Sequence, residues 1–280
     1  MMAWQRLLRL AGLIAAGVAL FLFFTYLLFP TARIDAVINR LLATQGLSLS
    51  PGASKTILPG LAWNNLLLSS DQGALLSCDL LKVRLGLLPL LTGRVALGAA
   101  AAIGTGRLEL EYGLTGSKAL ELHAQGISLA EIPFFKTVLG ARAGGALWSE
   151  GVLTRAPKGV NGELKLEVKQ LEFAGVKLGG FPLPDAANLR SQGMVRVTNG
   201  AARLESFTLE GEGIYMRLSG DLPSGASAAT TPLNLALEIM PKAEFLERQK
   251  LVFMLLAKFT VSPGVYKVPI RGTLLKPEIM

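Results

Sequence analysis

One cysteine and one histidine, Cys78 and His123, are the whole stock of soft metal ligands in this 280-residue chain. A zinc or haem site of ordinary ligand spacing is thereby excluded, and no metal or other cofactor is expected. A lone cysteine cannot close an intramolecular disulfide, so the fold must hold by packing alone. Cys78 itself reads as a buried small apolar residue rather than a reactive thiol. Catalytic signatures are missing as well: the chain has no Gly-rich phosphate loop followed by Lys-Ser/Thr and no serine in a Gly-x-Ser-x-Gly elbow. The glycine-rich string GAAAAIGTG at 98–106 lies between predicted strands, where it serves a turn or a close approach of backbones. On this reading the chain is not an enzyme.

Charge is absent from one long stretch, Leu10–Phe29, LAGLIAAGVALFLFFTYLLF. At about 1.5 Å rise per residue, a helix of that length crosses a hydrocarbon core of about 30 Å. Arg6, Arg9 and the amino terminus precede it, whereas Arg33 and Asp35 follow without a basic cluster. The positive-inside rule then puts residues 1–9 in the cytoplasm and 31–280 across the membrane. A cleaved signal peptide is the competing reading, but its apolar region is shorter, and Phe29-Pro30-Thr31-Ala32-Arg33 offers no small-x-small cleavage site. Arg6, Arg9, Leu10 and Phe29 therefore mark a retained anchor, with Trp4 and Tyr26 as interfacial residues.

The rest divides simply. Residues 1–30 are a cytoplasmic stub and transmembrane anchor, 31–46 a juxtamembrane helix, and 47–280 a β-rich domain on the far side. In the helix, Ile34, Val37, Ile38, Leu41 and Leu42 form a stripe that lies either on the bilayer or on the domain, and Gly46 stops it. The net charge of +8 is spread along the chain and often sits beside acids, as in Glu163-Leu164-Lys165-Leu166-Glu167-Val168-Lys169, so nucleic acid is not an expected partner.

From Leu47 onward the hydrophobic period changes to two. Leu108, Leu110, Tyr112 and Leu114 alternate with Arg107, Glu109 and Glu111; Leu120, Leu122 and Ala124 alternate with Glu121 and His123; Ile214, Met216 and Leu218 alternate with Tyr215 and Arg217. One polar face and one apolar face are the mark of antiparallel sheet covered on one side. Glu109, Glu111, Glu121 and His123 then belong to a solvated sheet face rather than to a glycosidase pair. In 164–173 the apolar phase slips by one, which predicts a bulge at Lys169-Gln170 or a change of face. Asn199-Gly200 predicts a two-residue hairpin turn. Helices are expected over about three turns after Ser128-Leu129-Ala130-Glu131, ending at Gly140, and over 242–259 without a break. Trp63 and Trp148 serve core or interface packing. A strand, helix, Gly-led strand succession occurs at 119–153 and again at 233–274, as a duplication or by coincidence among 31 glycines.

Two segments carry a resemblance. Val83–Val95, VRLGLLPLLTGRV, and the terminal Tyr266-Lys-Val-Pro-Ile-Arg-Gly-Thr-Leu-Leu-Lys-Pro277 are similar to membrane-anchored AsmA-like proteins, and the whole layout most resembles the protein N (GspN) family of the type II secretion system. The resemblance implies a mainly β fold: an N-terminal transmembrane helix, then a curved antiparallel sheet of AsmA-like type covered in part by helices. It implies a non-catalytic component of the bacterial inner membrane, single-pass with its main domain in the periplasm, that contacts other type II secretion components. The alternative it carries is an envelope lipid-binding or lipid-transfer protein. Leu108, Leu110, Tyr112, Leu120, Leu122, Ile214, Met216 and Leu218 would then line an apolar groove for membrane lipid and bound acyl chains.

Overall fold

The structure is a computed structural model that describes residues 17, 20, 26, 28, 30–56, 59–86, 89, 93–224 and 229–279. Arg6, Arg9, Leu10 and Phe29 lie outside the described residues, as does most of the apolar stretch between them. No helix of the described residues is long and apolar enough to cross a membrane.

The chain is mainly β, with few helices, and nearly all its strands join one antiparallel sheet. Helix α1 (Thr31–Ala43) leads into β1 (Leu47–Ser50), β2 (Ser54–Lys55), β3 (Gly60–Ser70), β4 (Gly73–Leu85), β5 (Ala96–Ile103), β6 (Gly106–Gly113) and β7 (Lys118–Ser128). A 3-10 turn (Leu129–Glu131) and α2 (Phe134–Leu139) precede β8 (Arg142–Ala156) and β9 (Gly159–Ala174). The small hairpin β10 (Lys177–Leu178) and β11 (Phe181–Pro182) follows, then β12 (Ala186–Thr198), β13 (Ala201–Gly211), β14 (Ile214–Leu222) and β15 (Asn234–Pro241). Helices α3 (Ala243–Arg248) and α4 (Lys250–Leu256), the edge strand β16 (Thr260–Ser262), β17 (Val265–Gly272) and β18 (Pro277–Ile279) close the chain.

The sheet is a meander. Its order is β1-β3-β4-β5-β6-β7-β8-β9-β12-β13-β14-β15-β17-β16, so sequence neighbours are almost always spatial neighbours. Short antiparallel connections dictate this, because each new strand needs only a tight turn to pair with the last. Asn199 and Gly200, at φ 53° and 85°, make the expected two-residue turn between β12 and β13.

Alternation sets one apolar face across the whole meander. The register runs Trp63, Leu81, Ala101, Leu108 and Ala124 across β3 to β7, and Phe207, Leu218, Leu237 and Val268 across β13 to β17. The predicted slip in β9 is real: Gln170 adopts φ 52°, the β8 and β9 register shifts beside it, and Val168 and Leu171, three apart, enter the same core. Asn65, at φ 52°, does the same for Trp63 and Leu66 in β3. An αL residue inside a strand turns the next side chain back to the face that alternation would have denied it.

Two helix expectations need correction. The segment before Gly140 is a 3-10 turn and a six-residue helix, interrupted at Ile132-Pro133, and Ser128 makes no side-chain cap. Ile132 keeps extended dihedrals (φ −95°, ψ 104°), as a residue before proline is pushed to do, and this splits the predicted three turns. The helix over 242–259 divides at Gln249, whose dihedrals are φ −121° and ψ 34°, into α3, α4 and a 3-10 turn.

Two core clusters share the apolar face. One gathers β9 to β17 under α3 and α4, with Phe245, Phe253 and Leu256 on Met216, Ile239, Tyr266 and Val268. The other gathers Trp63, Leu66, Cys78, Ala101, Ile103, Ala124 and Ile127, with Ile38 of α1 against it. Ile132 and Leu147 pack against both. The stripe of α1 is therefore divided, since Ile38 packs on the domain while Val37 and Leu41 stay more than half exposed. Asp35 and Asn39 fix this docking by accepting the Ala53 and Leu49 backbone N–H groups at 3.0 and 3.1 Å.

One contact reports the bend of the sheet. The backbone N–H of Ala229, between β14 and β15, donates to the side-chain oxygen of Gln45, just before β1, at 3.4 Å. Ten strand spacings separate β1 from β14 in the sheet order, about 50 Å if the sheet were flat. The sheet is accordingly rolled toward the face on which α1 packs.

Candidate functional site

The eight groove residues lie on that inner face but not in one environment. Ile214 and Met216 are 3% and 2% exposed, sealed in the cluster under α3 and α4. Leu108, Leu110, Leu120, Leu122 and Leu218 are half-buried, and Tyr112 is 43% exposed. The register puts Leu97, Tyr112 and Leu120 side by side at one end of the strands, followed inward by Ala99, Leu110 and Leu122. The central lane is thus apolar and partly open, whereas its β14 flank is closed core. A groove through all eight residues is not formed, because α3 and α4 roof only the last strands.

The lane has an opening at each end. Where β4 meets β5, a cleft of about 430 Å³ lies between Leu61, Val83, Leu85 and Leu97 on the sheet and Tyr26 and Ile34 from the helical approach to it. The Tyr26 hydroxyl donates toward the Thr56 and Gly60 carbonyls, 2.8 and 2.7 Å away, and Lys55 Nζ stands 5.8 Å over its ring. Tyr26 therefore bonds to the sheet, a role its sequence position as an interfacial anchor did not announce. At the far end of the strands, a wider cleft of about 860 Å³ opens beneath α2 among Ile132, Phe135, Ala143 and Phe173.

Trp63 supplies an orphan on β3, in the cluster on which α1 packs. It is buried, and its indole Nε1–H finds no acceptor among the described residues. Cys78 is buried in the same cluster, where desolvation, and then the nearby Asp79 carboxylate, push its thiol pKa up. A buried neutral thiol is a packing group, not a nucleophile.

The outer face carries the charges. Glu109 faces His123 and Glu111 faces Glu121 across β6 and β7. Lys118 Nζ bonds Glu121 at 2.5 Å and, with His123 beside it, holds that carboxyl below the usual carboxylate range. These residues meet in a shallow hollow with Lys82 and Arg84 rather than in a closed catalytic pocket. Among the described residues no group of three or more His, Cys, Asp or Glu is arranged to hold a metal ion. Trp148 is on this face too, with Lys169 Nζ 4.4 Å over its ring.

Two features were not legible as site candidates. Leu251, Met254 and Leu255, at i, i+3 and i+4 on α4, are exposed apolar residues, Leu251 being 78% exposed, and Val261 of β16 is exposed as well. The sequence predicts one unbroken helix over 242–259, which says nothing of which apolar residues stay exposed. The second is the cleft at Tyr26, which needs four segments separated in sequence. No protein-family model matches this chain, and neither does any curated protein or solved structure.

Proposed function

We propose that this chain is a non-catalytic, inner-membrane-anchored periplasmic component of a type II secretion system, related in kind to protein N, and that its sheet is of the AsmA-like type. It acts by contact. The observation that carries this reading is the end of the meander: among the described residues β16 pairs with β17 alone, all three of its residues are exposed, and α4, shortly before it in the chain, exposes Leu251, Met254 and Leu255. An open strand edge accepts another strand, and exposed apolar side chains on the preceding helix supply buried area for a stable contact. The test is a photo-crosslinking residue at Val261 in the anchored chain, together with Leu251→Asp and Leu255→Asp. Crosslinks to secretion components and lost export with an unchanged melting curve are expected. Normal export by the double variant refutes the reading.

A second reading is favoured by the half-open lane. Leu97, Leu110, Tyr112, Leu120 and Leu122 offer acyl chains an apolar bed that begins at the cleft where Tyr26 and Ile34 arrive. Each fully buried methylene would contribute about 0.8 kcal/mol, so a short length of chain suffices for retention. Mass spectrometry of the chain released from nanodiscs should find bound phospholipid, and Leu110→Trp should reduce it. Absence of lipid in both forms rejects this alternative.

A further inference from the structure

On the outer face, two rows of side chains enclose a furrow of about 660 Å³ that runs across β7, β8, β9, β12 and β13. One wall carries His123, Glu150 and Lys165, which are register partners on successive strands. The other carries Trp148, Glu167 and Gln192, register partners likewise. The floor between them is sheet backbone, at Ala124, Ser149 and Gly193.

We propose that this furrow binds a neutral, β-linked polysaccharide strand laid across the sheet. Its direction is the first argument. Groups along each wall repeat once per strand, about 4.8 Å, which is close to the advance of one sugar in an extended β-linked chain and well above the 3.3–3.4 Å advance of an extended peptide. Five strands span about 19 Å, room for a tetrasaccharide. Its chemistry is the second. Trp148 gives an apolar wall against which the C–H face of a sugar packs, and Gln192, Glu150, Glu167 and Lys165 offer donors and acceptors for hydroxyls. Charge is the third. Lys165 and Lys169 offset Glu150 and Glu167, and Lys165 bonds Glu150 at 3.4 Å, so the furrow lacks the cationic excess that a nucleic acid or polyanion requires. The site is independent of the apolar lane and of the β16 edge, which lie elsewhere on the molecule.

Calorimetry on the full chain in nanodiscs, with the β-1,4-linked tetramers of N-acetylglucosamine, glucose and xylose as probes, tests this. At least one tetramer should bind at millimolar concentration or below, and its monosaccharide far more weakly. Trp148→Ala should weaken tetramer binding at least about tenfold and Gln192→Ala a few-fold, both with unchanged melting curves. Because Trp148 is a surface residue of a β8 strand paired on both sides, the fold is expected to survive; if that variant does not fold, Gln192→Ala and Glu167→Ala decide. No binding by any tetramer, or equal binding by the wild type and the folded wall variants, overturns the proposal.

Discussion

The side-chain amide of Gln249 closes two hydrogen bonds on the backbone of Asp185, accepting its N–H at 2.9 Å and donating to its carbonyl at 2.7 Å. The helix breaks at the same residue. A contact between positions 64 apart thus decides a local dihedral that helix propensity alone would have set otherwise. Replacing Gln249 by alanine should lower stability by about 1–2 kcal/mol, two hydrogen bonds at their usual net value, while the far-ultraviolet helix signal rises as α3 and α4 join. A variant with neither change would mean the contact is incidental to the break.

Glycines on the sheet should divide sharply in their tolerance. A Cβ at Gly220 would sit 2.2 Å from the Asn234 carbonyl oxygen, at a φ of +137°. At Gly98 it would meet nothing within 4 Å. Gly220→Ala should cost more than about 2 kcal/mol, whereas Gly98→Ala should be neutral or slightly stabilising. Urea unfolding of the two variants measures the difference.

The split of the apolar face predicts a gradient of truncation costs. Met216→Ala removes a sealed side chain and should cost about 2–5 kcal/mol. Tyr112→Ser, at the open end, should stay within about 0.5 kcal/mol of wild type. Equal costs at the two positions in denaturant melts would mean that the lane is closed along its length.

Alkaline stability should report on Cys78. Its folded pKa lies above that of the unfolded chain, so the folded protein keeps the proton that the unfolded chain releases. Its contribution is complete below about pH 8.5 and is lost as the pH rises past that value. The difference in stability between wild type and Cys78→Ala should therefore be flat from pH 6 to 8 and change above pH 9.

Glu111 and Glu121 face each other across β6 and β7, a like-charge pair that Lys118 relieves mainly at Glu121, which it bonds, and more weakly at Glu111. Glu111→Gln should stabilise the chain by about 0.2–1 kcal/mol. On the proposed secretion reading, replacing Glu109, Glu111 and Glu121 together by alanine should leave export intact, which a complementation assay checks.

Much of this chain could be read from its sequence, and the reason is the meander. When each strand pairs with the next, alternation, Asn-Gly turns and phase slips carry nearly all the topology, as the Asn199-Gly200 hairpin and the bulge at Gln170 show. The strands β3 to β7 likewise follow from side chains that repeat every second residue. The site was less legible. Leu110 and Met216 share the same alternating pattern, yet one lies in a half-open lane and the other in a sealed core. Periodicity assigns a residue to a face but not to what covers that face.

The sequence by itself determined that one cysteine and one histidine are all the chain has of those residues, that a sheet with one apolar side follows the first helix, and where its turns and slips fall. Those are local properties, written in residue type and spacing. Tertiary structure alone decided that α3 and α4 cover β14 to β17 and leave the lane beside Leu110 open. It alone brings Tyr26 to Gly60, Gln249 to Asp185 and Gln45 to Ala229. Roof, cleft and bend all depend on segments far apart in the chain, and the order of residues encodes their meeting only through the packing of the whole.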